Sequence, residues 1–578
     1  MLRPHAAWRT LLFLSLIAAL QGARAEINVR FEGGDFPDLR ANVEALVVDD
    51  EERDERSMAR YSSFAKDQAA QAVKALGYYD PQITAEVVGQ GEDVDLNLVI
   101  VPGQPVLIRN RTIRIEGPAS EDSEFLLPDI KPLEPGEVLD HGAYSRVKGS
   151  IENRALELGY FASGFSEHQI QVNPQEHWAD IVLVFKSGPR YLLGEVSFVG
   201  DHELSPDFLR EYVPFEPGDQ YRAGEIAGLN TSLANSGYFS QVYVDASPDK
   251  AKDLLIPITV NLEKRPRRSV AAGVGFSTDV GPRFSGKWEE HWINPQGHSR
   301  GLETEISAPR QNLSAWYEIP LTPPMTDTLR YSAGYQKEDI EDTESELLTV
   351  GGQWKHLQDN DWLRVISLRW HGERYTIGDS DEESTALLLP GIGYSKLHSD
   401  SAIDPSRGYR LRADLTGASD ALLSQTNLLR LDTTAKGLIT LFGKHRFLSR
   451  INFGWMATDN FRKIPPSLRF YAGGDQSVRG YAYKSLGPEN ADGDVIGGRY
   501  LVVGSMEYQY SLFKSWRLAT FIDHGNALDS FSDPLATGVG AGVRWISPVG
   551  PLRLDVAKGL DDDLGGGWRL HFTIGPEL

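Results

Sequence analysis

The second half of the chain alternates apolar and polar side chains and has no runs with helical periodicity. Such alternation predicts strands whose two faces meet different surroundings. A strand that lies between lipid and an aqueous lumen has an apolar face and a charged face. At about 20 residues per strand and loop, residues 265–578 predict about 16 strands of about 9–11 residues each. The pattern is clearest in four stretches, 366–371, 409–415, 552–556 and 568–574.

Residues 1–25 indicate export. Arg3 and Arg9 precede the apolar run LLFLSLIAAL at 11–20, and Ala23-Arg24-Ala25 closes the segment. This order is typical of a secretory signal peptide. As a helix the run would span about 15 Å, roughly half the hydrocarbon thickness, so a membrane anchor is disfavoured. No later stretch approaches the roughly 18 apolar residues of a spanning helix. A membrane location would therefore require strands, and the rival soluble propeller lacks a blade-length repeat.

Composition argues against several classes of function. The formal net charge of −23 disfavours a nucleic-acid partner, because phosphate recognition uses concentrated Lys and Arg. Cysteine is absent, so disulfides and thiolate metal sites are excluded. The 13 histidines show no ligand spacing, and we expect no metal and no cofactor. GPRFSGK at 281–287 has phosphate-loop spacing, but Trp288 replaces the Ser or Thr that would hold magnesium. We do not expect an enzyme.

Residues 26–264 contain a threefold repeat. The phrase Gly-Tyr-aromatic ends a helix-like stretch at Gly77, Gly159 and Gly237, at intervals of about 80 residues. Each copy is predicted to follow the order β-α-α-β-β. In the second copy, periodicity predicts a strand, a helix and two further strands at 112–117, 143–159, 169–172 and 179–185.

Two segments of the second half, 468–488 and 519–527, carry more specific motifs. They resemble the paired signature of the Omp85 superfamily, a VRG[FY] motif on a long loop folded into a β-barrel and an FxDxG motif on a following strand. A weaker match lies at 404–415. The first motif consists of Val478, Arg479, Gly480 and Tyr481, and the second of Phe521, Asp523 and Gly525.

The three repeats resemble POTRA (polypeptide-transport-associated) domains, and three copies at this chain length resemble the TamA family within the superfamily. The resemblance implies three α+β POTRA modules followed by a 16-stranded transmembrane β-barrel. Generic α+β modules remain the alternative for the repeats. The implied boundaries are a signal peptide at 1–25, modules at 26–104, 105–188 and 189–264, and the barrel at 265–578.

The resemblance also implies a contact between the two motifs. A guanidinium on a loop inside a barrel is partly desolvated, so it needs a carboxylate or carbonyl partner. By resemblance the partner of Arg479 is Asp523, which would face the lumen and bind bidentately. The alternative is that both residues lie apart on solvated loops. Contact would pin the loop near the seam at which the barrel closes.

The seam would join a first strand near 269–277 to a last strand near 567–575. Glycine weakens strands and permits kinks, which favours a lateral gate, although ordinary barrel curvature also explains these glycines. The chain ends in GPEL, whereas many outer-membrane barrels end in Phe or Trp. The predicted gate residues are Gly273, Gly275, Gly567, Trp568 and Phe572.

The resemblance implies a factor in the cell outer membrane that inserts β-barrel clients, including autotransporters, with its POTRA arm in the periplasm. Clients would add strands to exposed POTRA sheet edges and then enter through the gate. The implied partners are unfolded outer-membrane proteins, outer-membrane lipid and a TamB-like protein anchored in the inner membrane. Two alternatives stay open: the terminus of a phospholipid transport complex, and an export pore of the two-partner-secretion type.

Overall fold

The computed structural model describes residues 27–47, 55–90, 93–547 and 550–574. The predicted signal peptide at 1–25 lies outside these residues. Among the residues described, no helix combines the length and the apolar character that crossing a membrane would require.

The first module packs two helices on a three-stranded sheet. Its elements are β1 (Ile27–Phe31), α1 (Pro37–Leu46), α2 (Glu55–Ala75), β2 (Gln82–Gln90) and β3 (Asp93–Val101). The sheet order is β1-β3-β2, with β1 parallel and β2 antiparallel to the central strand. Alternate residues of β3, including Leu96, Leu98 and Ile100, are fully buried. One face of the sheet therefore forms the core of the module.

The second module repeats this sheet around a single long helix. Its elements are β4 (Leu107–Glu116), α3 (His141–Glu157), β5 (Gly164–Asn173) and β6 (Trp178–Lys186), with sheet order β4-β6-β5. The helix predicted at 143–159 corresponds to α3, which buries Val147, Ile151 and Ala155 along one face. The helix and the three strands that periodicity predicts in this module are therefore confirmed.

The second module lacks the first of the two predicted helices. Two 3-10 turns, Pro118–Ser120 and Lys131–Leu133, occupy that part of the chain. Proline fixes φ and removes a backbone donor, so closely spaced prolines interrupt an α-helix. The prolines in this segment are Pro118, Pro128, Pro132 and Pro135.

The third module follows the predicted order in full. Its elements are β7 (Leu192–Asp201), α4 (Pro206–Arg210), α5 (Ala223–Asn235), β8 (Phe239–Asp245) and β9 (Leu255–Lys264), with sheet order β7-β9-β8. Helix α4 is short and begins at Ser205, whose hydroxyl accepts a hydrogen bond from the Phe208 amide. Helix α5 buries Leu229 and Leu233.

The repeated glycines follow the long helix inside each module and contact the chain that leaves the module. Gly77, Gly159 and Gly237 have φ of +90°, +84° and +84°, the left-handed conformation in which glycine often ends a helix. The carbonyl of each glycine then accepts a hydrogen bond from the chain that enters the next part of the protein. The donors are Val106 N at 2.9 Å, Tyr191 N at 2.9 Å and Arg265 Nη1 at 3.1 Å.

Sixteen strands then form one antiparallel sheet in chain order, which confirms the predicted strand number. The segment 281–287, for which a phosphate loop was not expected, lies within a strand and forms no loop before a helix. The strands are β10 (Arg268–Ser277), β11 (Gly281–Glu290), β12 (Ser299–Ser307), β13 (Arg310–Pro320), β14 (Asp327–Ile340), β15 (Thr343–Leu357), β16 (Leu363–Ile377), β17 (Glu383–Ser399), β18 (Arg407–Ala418), β19 (Leu428–Leu441), β20 (His445–Thr458), β21 (Tyr500–Phe513), β22 (Trp516–Leu528), β23 (Ala536–Ser547), β24 (Gly550–Gly559) and β25 (Trp568–Ile574).

The strands present their apolar side chains outward. On β16, the alternating residues Ile366, Leu368 and Trp370 are 41%, 51% and 38% exposed, whereas His371, which follows Trp370, is 2% exposed. On β25, Trp568 and Leu570 are likewise exposed and His571 is buried. The outer face therefore suits lipid and the inner face holds the polar groups.

Candidate functional site: a loop fixed inside the barrel

The long connection between β20 and β21, residues 459–499, lies against the inner wall of the barrel; we call it the inner loop. Its Val478 and Tyr481 are fully buried and pack with Val503 of β21 and Ala536 of β23. A second apolar group places Phe470 of the loop against other wall residues. The predicted position of this loop, folded into the barrel, agrees with these contacts.

Arg479 and Asp523 are in direct contact. Arg479 Nε donates to Asp523 Oδ2 at 2.7 Å and Nη2 donates to Oδ1 at 3.0 Å, so the pairing is bidentate. The Arg479 backbone N–H adds a third bond to Oδ2 at 3.1 Å. The guanidinium also lies 3.3 Å from the ring centroid of Phe521. The alternative of two separate solvated residues does not describe the structure, since both side chains are buried.

Three further charged residues, which the sequence analysis missed, complete this cluster. Arg479 Nη1 also donates to Glu507 at 2.9 Å and to Asp555 at 3.2 Å. The same two carboxylates accept hydrogen bonds from Arg544, at 2.8 Å and 2.6 Å. Two guanidinium groups thus contact three buried carboxylates, on β21, β22 and β24. Lumen-facing charged positions in the alternating strands were the available signal, but nothing in the sequence indicated which would meet.

Further hydrogen bonds and close backbone packing hold the rest of the first motif. The Gly480 N–H donates to His571 Nε2 at 3.0 Å, and the Tyr481 hydroxyl donates to Asp561 at 3.0 Å. Gly480 has φ of +95°, and a Cβ there would lie 2.3 Å from the Gly559 nitrogen. A Cβ at Gly538, the cross-strand partner of Gly559, would lie 1.9 Å from the Arg479 oxygen. The loop backbone therefore rests directly on β23 and β24.

Gly525 of the second motif lies in β22 and pairs with Val503 and Ala536 on the adjacent strands. A Cβ on Gly525 would meet the Val502 oxygen at 2.1 Å. The position therefore serves the close approach of β21 and β22 rather than a contact with the inner loop.

The inner loop is attached on a second side of the barrel. Lys484 forms an ion pair with Glu338 of β14, which also binds Arg310 of β13 at 2.9 Å. The Val495 amide donates to Asp342 at 2.9 Å, in the turn after β14. These bonds join the loop to β13–β15, while the Arg479 cluster joins it to β21–β24.

The weaker motif at 404–415 also places a charged residue on the inner wall. Asp404 lies in the turn between β17 and β18 and accepts hydrogen bonds from Arg446 at 2.9 Å and from Arg517 at 2.8 and 2.7 Å. The turn is therefore bound to β20 and β22. It has no contact with the Arg479 cluster among the hydrogen bonds of the described residues.

The first and last strands of the sheet share no strand ladder among residues 550–574 and 268–277. Their backbones meet where the Thr278 N–H donates to the Phe572 oxygen at 3.3 Å and the Phe572 N–H donates to Thr278 Oγ1 at 3.2 Å. The rings of Phe276 and Phe572 lie 5.8 Å apart. The seam is thus a local contact.

Of the predicted gate residues, Phe572 takes part in this contact, while the others face neighbouring strands. Gly273 and Gly275 pair with Ser285 and Arg283 of β11. Trp568 pairs with Lys558 of β24, and the Gly567 oxygen accepts a hydrogen bond from the Gly559 amide at 3.0 Å. Thr278 and His571, which the sequence analysis did not select, bind across this region.

A second polar cluster connects the seam to the inner loop. His571 Nδ1 lies 2.5 Å from Asp475 Oδ1, and Thr278 Oγ1 donates to the same oxygen at 2.8 Å. The Asp475 amide donates to both carboxylate oxygens of Asp279, at 3.1 and 3.0 Å. One ligand atom from each of Asp279, Asp475 and His571 lies within 4.8 Å of the others. These three residues are far apart in the sequence and meet only when the barrel closes. The spacing of the histidines therefore could not indicate this cluster.

Comparison with known protein families identifies both halves of the chain. The Omp85 superfamily domain matches residues 272–577. A POTRA domain described as TamA domain 1 matches residues 28–102, and a POTRA family described as surface antigen variable number repeat matches residues 191–265.

Similar proteins cover most of this chain. It is 22% identical over 530 residues to the outer membrane protein assembly factor BamA of Nitratidesulfovibrio vulgaris, covering 86% of this chain and 66% of that protein. BamA of Neisseria meningitidis serogroup B is 22% identical over 577 residues, covering 86% and 70%. The chain thus spans about two thirds of the length of these relatives. The crystal structure of BamA from Haemophilus ducreyi lacking POTRA domains 1–3 has a TM-score of 0.68 at 17% identity, covering 81% of this chain and 99% of that one. This likeness supports the fold.

Proposed function

This chain belongs to the Omp85 superfamily, and on that basis we propose that it assembles β-barrel proteins in the outer membrane. It is an outer-membrane protein with its POTRA modules in the periplasm. The proposed reaction is an exchange of backbone hydrogen bonds, in which a strand of the client pairs with an edge at the seam. No covalent step is involved, so the proposal does not require an enzyme.

The observation that carries this proposal is the seam, where no ladder joins β10 to β25 among the described residues. Ladders join the other neighbouring strands of the barrel, and between β15 and β16 the pairing runs without a break from Thr343↔Ile377 to Leu357↔Leu363. Opening such a junction in lipid would leave many backbone groups unpaired, at several kcal/mol each. Among the described residues of the seam, few backbone bonds are lost on opening, and a client strand would supply new ones.

The periplasmic modules supply further edges. In each module sheet the strand in the middle is covered on both sides, and two strands have an outer edge. Strand β5 is largely exposed along its length. Exposed backbone N–H and C=O groups can accept an extended peptide as an added strand without reading its side chains. We propose that unfolded clients bind the arm in this way before they reach the barrel.

The proposed partner and the proposed class of clients rest on the family resemblance of the periplasmic arm. The match of residues 28–102 to a TamA-type POTRA domain supports a TamB-like partner anchored in the inner membrane and autotransporters among the clients. Outer-membrane lipid would contact the apolar outer face of the strands. Transfer of phospholipid through the same seam is the competing activity, so the assay must measure lipid and protein separately.

A crosslink at the seam tests the proposal. The chain contains no cysteine, so the double variant Phe276→Cys with Phe572→Cys can form only the intended disulfide. We expect the oxidised protein in liposomes to lose insertion of an unfolded β-barrel client, and reduction to restore it. Insertion is measured by protease protection of the client, and lipid transfer by movement of a labelled phospholipid between vesicles.

The matched control is a crosslink between two strands that already pair. Tyr335 and Leu348 are cross-strand partners on β14 and β15 and are exposed on the outer face. Tyr335→Cys with Leu348→Cys should leave insertion unchanged when oxidised. Full insertion by the oxidised seam variant would contradict the proposal. Loss of lipid transfer with no insertion by either form would favour the phospholipid activity instead.

A further inference from the structure

Two polar clusters bind the inner loop to the wall, and they differ in charge. The cluster around Arg479 joins two guanidinium groups to three carboxylates. The cluster around Asp475 contains two carboxylates, and among the described residues neither forms an ion pair with Lys or Arg. Two neighbouring carboxylates without a cation repel each other, and burial strengthens that repulsion, so the second cluster needs a proton or a cation.

His571 does not supply a positive charge. A backbone N–H can only donate, so the bond from Gly480 requires a lone pair on His571 Nε2. The ring proton therefore lies on Nδ1, where it is donated to Asp475 Oδ1 at 2.5 Å. Both ring nitrogens are thus engaged in a neutral imidazole, and neither is free to bind a metal.

Asp475 has one oxygen without a partner. Its Oδ1 accepts hydrogen bonds from Thr278 and His571. The Asp475 side chain is only 2% exposed, and its Oδ2 accepts no hydrogen bond. Buried carboxylate oxygens are normally satisfied, so an orphaned one next to a second carboxylate calls for a proton or a cation between them.

We propose that Asp279 and Asp475 Oδ2 bind a divalent cation that prefers oxygen ligands, of the Mg²⁺ or Ca²⁺ class. Such ions are held by a few carboxylates and complete their coordination with water. A zinc-like site would need the imidazole nitrogen, which is already used. His571 and Thr278 act as positioning residues, because they orient the carboxylate that binds the ion.

The ion would connect three parts of the barrel. Asp279 lies in the turn between β10 and β11, Asp475 lies on the inner loop, and His571 lies on β25. A cation on the two carboxylates would hold the first hairpin to the loop directly and the last strand through His571. A bound cation would slow the opening of the seam and therefore the insertion of clients. This effect on insertion rests on the proposed function.

Binding can be measured on the full chain in detergent, after removal of cations with a chelator. Mn²⁺ shares the preference for oxygen ligands and reports its own binding by electron paramagnetic resonance. We expect one saturable Mn²⁺ per chain that Mg²⁺ or Ca²⁺ displaces. Asp475→Asn and Asp279→Asn should abolish this binding, and Thr278→Val, which keeps both ligands, should weaken it about tenfold.

The matched control is Asp492→Asn, an exposed aspartate on the same loop, which should bind like the wild type. Each variant must show the heat-modifiable electrophoretic mobility of a folded barrel, with different migration of unheated and heated samples. Wild-type protein without a saturable site, or Asp475→Asn that binds with unchanged affinity, overturns the proposal in favour of a proton shared by the two carboxylates. Because no client is present, this failure is distinct from failure of the insertion assay.

Discussion

The wall of the barrel and its seam are built by different means. Strands β15 and β16 are both 15 residues long and pair along their whole length. No ladder joins β10 to β25 among the described residues. Backbone hydrogen bonds hold the wall, whereas side chains on the inner loop hold the region beside the seam. A junction of side chains can be released without unpairing a long strand in lipid.

The largest expected effect comes from the Arg479 cluster. Arg479→Ala leaves Asp523, Glu507 and Asp555 buried with one guanidinium fewer, and breaking a buried pair costs about 3–5 kcal/mol. We expect the inner loop to become sensitive to protease while the wall strands stay folded. Asp523→Ala should have a similar effect, and the double variant should lose less than the sum of both.

Arg462→Ala is the control for this cycle, because Arg462 is on the same loop and is exposed. Loop proteolysis and insertion activity should both remain at the wild-type level. If the losses of protease resistance in the two single variants add up in the double variant, Arg479 and Asp523 act independently. The contrast between seam and wall would then not depend on their pairing.

The backbone contact of the loop with the wall gives the next effect. Gly480→Ala introduces a Cβ close to Gly559, so the loop must move, at a cost of about 1–3 kcal/mol for overpacking. Gly493→Ala is matched to it, since Gly493 lies on the same loop with φ of +92° and open space around its Cβ position. The difference in loop protease resistance between the two variants measures the effect of the clash between the added Cβ and Gly559, because both positions share the positive φ. Equal resistance would show that φ strain alone matters at Gly480.

Hydrogen exchange compares the seam and the wall without any mutation. Amides of β10 and β25 should exchange at least about tenfold faster than amides of β15 and β16, which corresponds to about 1.4 kcal/mol of opening free energy. The measurement uses mass spectrometry on the full chain in lipid nanodiscs. Equal protection in both regions would mean that the seam is as stable as the wall.

The smallest expected effect concerns a joint in the periplasmic arm, which is also held by side chains. Arg222 and Arg190 bind the Glu124 carboxylate at 2.8 Å each and lower its pKa from the usual range of a glutamate to about 2. The folded pKa lies below the unfolded one, so this stabilisation is present at neutral pH and is lost as pH falls through about 2. Because the carboxylate is about a third exposed, we expect less than about 1 kcal/mol.

The test is the urea midpoint of the helical signal of the full chain, since the long helices of the described residues lie in the modules. Glu124→Gln should lower this midpoint at neutral pH, and the difference from wild type should shrink as the pH approaches 2. Glu121→Gln, at an exposed position of the same segment, should have no effect. A pH-independent difference would assign the effect of Glu124→Gln to packing.

Local patterns in the sequence predicted the elements well. Alternation at Ile366, Leu368 and Trp370 indicated the orientation of a strand, and the Gly-Tyr phrase indicated the ends of the helices. These features depend on neighbouring residues, so a single sequence contains them. The missing helix of the second module was also indicated locally, by its prolines, which the repeat pattern led us to overlook.

The charged clusters could be predicted only in part. The motifs indicated the pairing of Arg479 with Asp523. Glu507 and Asp555 lie 28 and 76 positions from Arg479, and it is the closure of the sheet that brings them to the guanidinium. Gate residues were chosen for glycine content, but the contacts at the seam come from side chains such as Thr278. Position around a barrel depends on strand register, which periodicity does not specify.

The attachment of the inner loop to two sides of the barrel has a consequence for permeability. Sixteen strands alone can enclose an aqueous channel wide enough for small solutes. Here a segment fixed to Glu338 on one side and to Asp523 on the other subdivides that passage. We therefore expect the conductance of the protein to depend on this loop rather than on the number of strands.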